Sequence, residues 1–145
     1  MARLYRPIIT DYTEAMHLKI KTPYTFTPMG FVLYYSALAL MLTLMLQRNS
    51  SGLLNFAGIG SHLSNFALSS LLLFAAGATN LLTKVSWKYI FLCALLLAGA
   101  NIIMEAIVPV LNTPDMMDAA YGLAGISATL GLLALLQRYG VRPVR

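Results

Sequence analysis

The chain has 145 residues, room for one domain; 59% are hydrophobic and only 10% charged, and mean hydropathy is +0.73. A water-exposed surface calls for about 25% charged residues, so a soluble enzyme, a nucleic-acid binder and a disordered linker all fit poorly despite the net charge of +5. The composition is that of a small integral membrane protein.

Residues 1–27 come first and are polar enough to stay out of the bilayer core. A cleavable signal would start its apolar run soon after Arg6, but Asp11, Glu14 and Lys19 intervene. Asp11 and Glu14 have capping-box spacing, and Ile9, Tyr12, Met16 and Ile20 recur at roughly helical intervals. They predict an interfacial amphipathic helix on the inner leaflet, ended by Thr22-Pro23; an extended arm is the alternative. Each cation near anionic lipid heads is worth about 1 kcal/mol, which accounts for a pI of 9.6 without nucleic acid.

Four charge-free intervals follow: between Lys21 and Arg48, Arg48 and Lys84, Lys88 and Glu105, and Asp118 and Arg138. A spanning helix needs about 20 mostly apolar residues, which places spans near 28–47, 61–82, 88–109 and 117–137. Pro28 suits a first helical turn, where a missing N–H costs nothing, and Gly140 and Pro143 read as stop signals. The runs are rich in Leu, Ala and Met without alternation, so strands are disfavoured. The expected fold is all-α: a four-helix transmembrane bundle over 28–138, with a basic tail over 139–145.

Cation placement sets the expected orientation. Arg3, Arg6, Lys19 and Lys21 precede the first span, Lys84 and Lys88 lie between the second and third, and Arg138, Arg142 and Arg145 follow the fourth. Only Arg48 falls on the other side, so both termini are expected in the cytoplasm. Tyr24, Trp87, Tyr89 and Tyr139 lie near the same face, as interfacial anchors do. The expected location is a bacterial inner membrane.

Small residues recur at four-residue spacing in Ala94 and Ala98, in Ala120, Ala124 and Ala128, and in Ser127 and Gly131. With Gly122 and Gly125, they predict faces where helices approach closely. Cys93 stands alone in the third span and reads as a small apolar residue. Asn49-Ser50-Ser51 matches a short, common glycosylation pattern on the outer side.

Polar residues inside the spans converge at the outer end. His62 and Asn65 open the second helix, Asn101 and Glu105 lie four apart late in the third, and Asp115 and Asp118 open the fourth. His62, Asn65, Asn101, Glu105 and Asp118 are thereby predicted to share one level near the outer leaflet, as contacts for a lipid or a partner. A carboxylate within a span costs a few kcal/mol or more, which singles out Glu105. Two accounts stand side by side. In one, Glu105, Asp118 and His62 form a pocket that binds a head group or moves a proton. In the other, Glu105 reaches the interface, Asp118 caps the fourth helix beside its dipole, and the Asn side chains tie helices together. No Ser-His-Asp order, phosphate loop or metal-ligand spacing occurs, so neither a catalytic set, a metal nor a cofactor is expected beyond a bound lipid.

The stretch from Glu105 through Asn112-Thr113-Pro114-Asp115 to Asp118, Gly122 and Gly125 resembles the VanZ-like family of small membrane proteins. So does Ser61-His62-Leu63-Ser64-Asn65-Phe66, which has the shape of that family's Asp-Lys-x-x-His-Phe opening. The resemblance covers roughly residues 58–138. It departs at Ser61, His62 and Asn65, where the family carries Asp, Lys and His; the third loop lacks an expected Arg, and Gly122 replaces a usual Asn. The resemblance implies a cell-envelope protein associated with glycopeptide resistance, teicoplanin in particular, without an agreed activity. The missing charges imply that such an activity is lost here.

The leading expectation is a non-catalytic accessory subunit that packs in the bilayer against a larger respiratory, photosynthetic or transport complex. The alternative is a VanZ-like envelope protein binding a lipid or glycopeptide at the outer leaflet. A small channel or transporter fits less well, with one acidic residue clearly inside a span.

Overall fold

The computed structural model describes residues 22–46, 59–107 and 115–144. The predicted N-terminal amphipathic helix, the sequon and Arg48, and Asn112 to Pro114 lie outside the described residues. Along the chain run β1 (Tyr24–Phe26), α1 (Pro28–Leu46), α2 (Ile59–Thr83), α3 (Trp87–Ile107) and α4 (Met116–Leu135). A π-helical turn, Leu136–Gly140, extends α4 into β2 (Val141–Pro143). The described structure is thus helical, and each of the four helices is long and apolar enough to cross a membrane.

Local chemistry sets the helix ends. Thr27 caps α1: its Oγ1 accepts the Gly30 N–H at 3.0 Å, and Pro28 follows as the first helical residue. Asp115 caps α4, its Oδ1 accepting the Met117 N–H at 2.9 Å. At the end of α2, Lys84 takes a left-handed conformation (φ 62°) and the Val85 N–H closes on the Asn80 carbonyl at 3.1 Å. This is a Schellman closure made without glycine.

The core forms where α2 packs along α4, the most extensive contact among the elements. Leu73 and Phe74 of α2, Ile90 of α3, and Leu133 and Leu136 of the fourth helix and its extension are fully buried. Tyr34 of α1 stacks on Phe74 with ring centroids 5.0 Å apart. Cys93 is half-buried against this cluster. In contrast, α1 and α3 leave most of their surface facing outward.

Two features go beyond what spacing along the chain specifies. The row Ala120, Ala124 and Ala128 faces outward, together with Ser127 and Gly131, whereas Ala119, Gly122, Gly125, Ile126, Thr129 and Leu133 form the buried face. Ala94 is buried and Ala98 half-buried as packing residues of α3. Helix α4 offers several small-residue rows, and the one without side chains at two positions permits the closest approach. A Cβ at Gly125 would stand 2.4 Å from the Phe66 carbonyl oxygen. Apolar character alone cannot distinguish these rows.

The second is a short antiparallel ribbon formed by part of the basic tail. Tyr24 pairs with Pro143, Thr25 with Arg142 and Phe26 with Val141. The Thr27 N–H adds a bond to the Gly140 carbonyl at 2.9 Å, and the Val144 N–H one to the Pro23 carbonyl at 3.0 Å. Once α1 begins beside the end of α4, each backbone offers donors and acceptors to the other, and pairing satisfies both.

The bundle is polarised. Lys84 and Lys88 flank the α2–α3 turn, and Arg138 and Arg142 lie at the ribbon end. Tyr24, Trp87, Tyr89 and Tyr139 sit at this same end, where the Trp87 indole N–H donates to Gln137 Oε1 and Arg138 lies over the Tyr139 ring. The described acids, Glu105, Asp115 and Asp118, all lie at the opposite end.

Candidate functional site

The acidic end is assembled by α2, α3 and α4. His62 lies in the first turn of α2, Glu105 two residues before the end of α3, and Asp115 and Asp118 at the start of α4. Helix α3 returns the chain between α2 and α4, so α2 and α4 run parallel and His62 at the start of α2 stands beside the N-terminus of α4. His62 Nδ1 stands 2.6 Å from Asp118 Oδ1 and 3.8 Å from Asp115 Oδ2. A carboxylate only accepts, so Nδ1–H donates to Asp118. The imidazole also stacks on Tyr121, one turn beyond Asp118, with centroids 5.4 Å apart and planes 25° apart.

Burial grades across this cluster. The His62 and Asp118 side chains are 20% and 17% exposed, and that of Asp115 is 42% exposed. Glu105 is only 7% exposed and accepts the Asp115 N–H on Oε2 at 3.4 Å. The four unsatisfied N–H groups and positive dipole end of α4 favour carboxylates here. The cap expected of Asp118 is instead Asp115, which immediately precedes the first helical residue; Asp118 lies inside the first turn, where its carboxylate turns to His62.

The His62, Asp115 and Asp118 donor atoms all lie within 4.8 Å of one another. No spacing in the sequence signals this set, since His62 and Asp118 are 56 residues apart. Their chemistry, one imidazole nitrogen and two carboxylates, suits a first-row divalent ion.

Asn101 belongs to a deeper tier. Its Nδ2 donates to Ser69 Oγ at 3.0 Å and to the Leu97 carbonyl at 2.9 Å, and Ser69 Oγ–H donates back to Oδ1 at 3.3 Å. Ser69 is seven residues, or about 10 Å of helix, below His62. Gly122 makes room for this pair: a Cβ there would lie 2.4 Å from Asn101 Oδ1. Asn65 is half-buried between the tiers and joins neither hydrogen-bonded set among the described residues. The five residues expected at one level thus divide into an ionic tier (His62, Glu105, Asp118) and an amide–hydroxyl tie (Asn101), with Asn65 between.

Sequence reasoning passed over Ser69 and Tyr121. Both carry a weak signal: Ser69 repeats the His62 face two turns on, and Tyr121 repeats the Asp118 face one turn on. Neither spacing specifies a partner. No protein-family model, curated protein or solved structure matches the chain.

Proposed function

We propose that this protein is a multi-pass integral membrane protein, without catalysis of its own, that packs as an accessory subunit against other membrane-protein helices. The outward-facing Ala120 and Ala124, with Ser127 and Gly131 beside them, carry the proposal. A Cβ added at Gly131 would meet nothing within 4 Å. Lipid tails pack as well on Leu as on Ala, whereas a second helix approaches more closely over small residues. The proposed setting is a bacterial inner membrane with both chain ends cytoplasmic, since positively charged segments stay inside and Lys84, Lys88, Arg138 and Arg142 mark the ribbon end. The partner is a respiratory, photosynthetic or transport complex. No cofactor is required beyond a bound lipid, for which a cleft of about 380 Å³ opens between α1, α2 and α4, lined by Leu33, Leu40, Met41, Phe66 and Leu132.

Purification in mild detergent tests this reading. The chain should emerge in a larger stoichiometric complex, and Ala120→Leu with Ala124→Leu should release it while leaving its own thermal unfolding unchanged. A lone monodisperse protein would overturn the subunit role.

A second reading follows from the ionic tier: an envelope protein that handles a lipid or glycopeptide at the outer face, as the VanZ-like resemblance implies. The gathering of His62, Asp115, Asp118 and Glu105 at the end opposite the described cations favours it. Glu105→Gln or Asp118→Asn should then abolish a resistance or lipid phenotype with expression intact. An unchanged phenotype in both removes this role.

A further inference from the structure

We propose that His62, Asp115 and Asp118 bind one divalent transition-metal ion, with zinc as the best match to their chemistry. The site would take its ligands from two helices: Nδ1 of His62 in the first turn of α2, and one carboxylate oxygen each from Asp115 and Asp118 around the first turn of α4. Around a tetrahedral ion with bonds of about 2.0–2.2 Å, ligand atoms stand about 3.4 Å apart. The observed separations from Nδ1, 2.6 Å to Asp118 and 3.8 Å to Asp115, lie on either side of that value. Rotation of two carboxylates on short side chains brings both into range without moving a helix.

Several independent features hold these donors in place. Stacking on Tyr121 fixes the imidazole plane. Glu105, buried beneath, accepts the Asp115 N–H and anchors the backbone that carries this ligand. Such outer contacts orient metal ligands in general. Electrostatics points the same way. Two carboxylates face one imidazole in a partly desolvated pocket, and the described Lys and Arg residues all lie at the other end of the bundle. A divalent ion matches both carboxylates, whereas a single proton on His62 offsets one. On binding, the ion takes the place of the proton shared by Nδ1 and Asp118, which leaves to solvent.

The donor set also selects the ion. Magnesium and calcium favour all-oxygen shells, while an imidazole with carboxylates suits zinc and its neighbours. Three protein ligands leave a fourth position for water or an oxygen ligand, and partial exposure of Asp115 leaves it reachable. This inference does not depend on lateral docking of α4.

The test uses the full chain in detergent, stripped with a chelator and titrated with zinc chloride against a competing zinc indicator. One zinc per chain is expected, with His62→Ala and Asp118→Asn each weakening it at least tenfold. His17→Ala, outside the described residues, should leave it unchanged. No binding, or binding indifferent to the His62 and Asp118 variants, overturns the proposal. Cobalt(II) added to the unaltered chain guards against misfolded variants. Intense visible bands of a low-coordinate site, lost on adding one equivalent of zinc, are expected; only the weak spectrum of the hydrated ion would refute the site.

Discussion

A methyl group on Gly30 would lie 1.9 Å from the carbonyl oxygen of Gly140, so the start of α1 and the end of the α4 extension meet backbone to backbone. That approach places Thr27 where its N–H reaches the Gly140 carbonyl and its Oγ1–H the Tyr139 carbonyl. Gly30→Ala should therefore force the two ends apart, costing about 1–3 kcal/mol as an overpacked contact. Unfolding in detergent measures the loss. Hydrogen exchange at Phe26 and Val141, paired in the ribbon, should accelerate more than exchange at Leu73 in the core.

Two other glycines should respond in opposite ways. At Gly125 a Cβ would stand 2.4 Å from the Phe66 carbonyl and 2.8 Å from Ser70 Oγ, and backbone yields poorly. Gly125→Ala is expected to cost about 1–3 kcal/mol. Gly131 has open space, so Gly131→Ala should be neutral or stabilise by up to about 1 kcal/mol through helix propensity. Thermal unfolding of both variants, compared in one detergent, checks the contrast. Equal effects would contradict the packing of α2 on α4.

The Asn101–Ser69 tie joins α3 to α2 through two hydrogen bonds in the bundle interior. Such bonds between membrane helices contribute about 0.5–2 kcal/mol. Asn101→Ala and Ser69→Ala should each destabilise, and the double variant should lose less than the sum. A double-mutant cycle in chemical unfolding reads this coupling directly, and strict additivity would dissolve the tie.

Ser70 and Thr129 are fully buried, and their hydroxyl oxygens find no hydrogen-bond partner among the described residues. An unmade bond leaves only the desolvation cost. Ser70→Ala and Thr129→Val should thus be neutral or raise stability by about 1 kcal/mol, in contrast to Ser69→Ala one residue away. Melting temperatures of the three variants provide the comparison.

Much of the helical layout is legible in the chain itself. Charges end the apolar runs because lipid tolerates them poorly, so Lys84, Lys88 and Arg138 bracket helices that the structure places at 59–83, 87–107 and 116–135. Pro28 marks the start of α1 because its ring suits a first turn, and the spacing of Asn101 and Glu105 sets both on one side of α3. These are local effects, decided within a few residues.

Tertiary structure alone decided which face each helix buries. Every face of α4 is apolar, so hydropathy cannot rank the Ala120 row against the Gly122 and Gly125 row; closest approach of backbones does. The same holds for the polar end. The cap expected at Asp118 falls to Asp115, which directly precedes the helix, and the pairing of Asp118 with His62 comes from a residue 56 positions away. The ribbon too depends on Gly30 meeting Gly140 across the whole chain. Sequence by itself determined where apolar helices begin and end, because that follows from the cost of local charge. Their mutual register, and with it the His62–Asp115–Asp118 cluster, comes from packing between segments far apart in the chain.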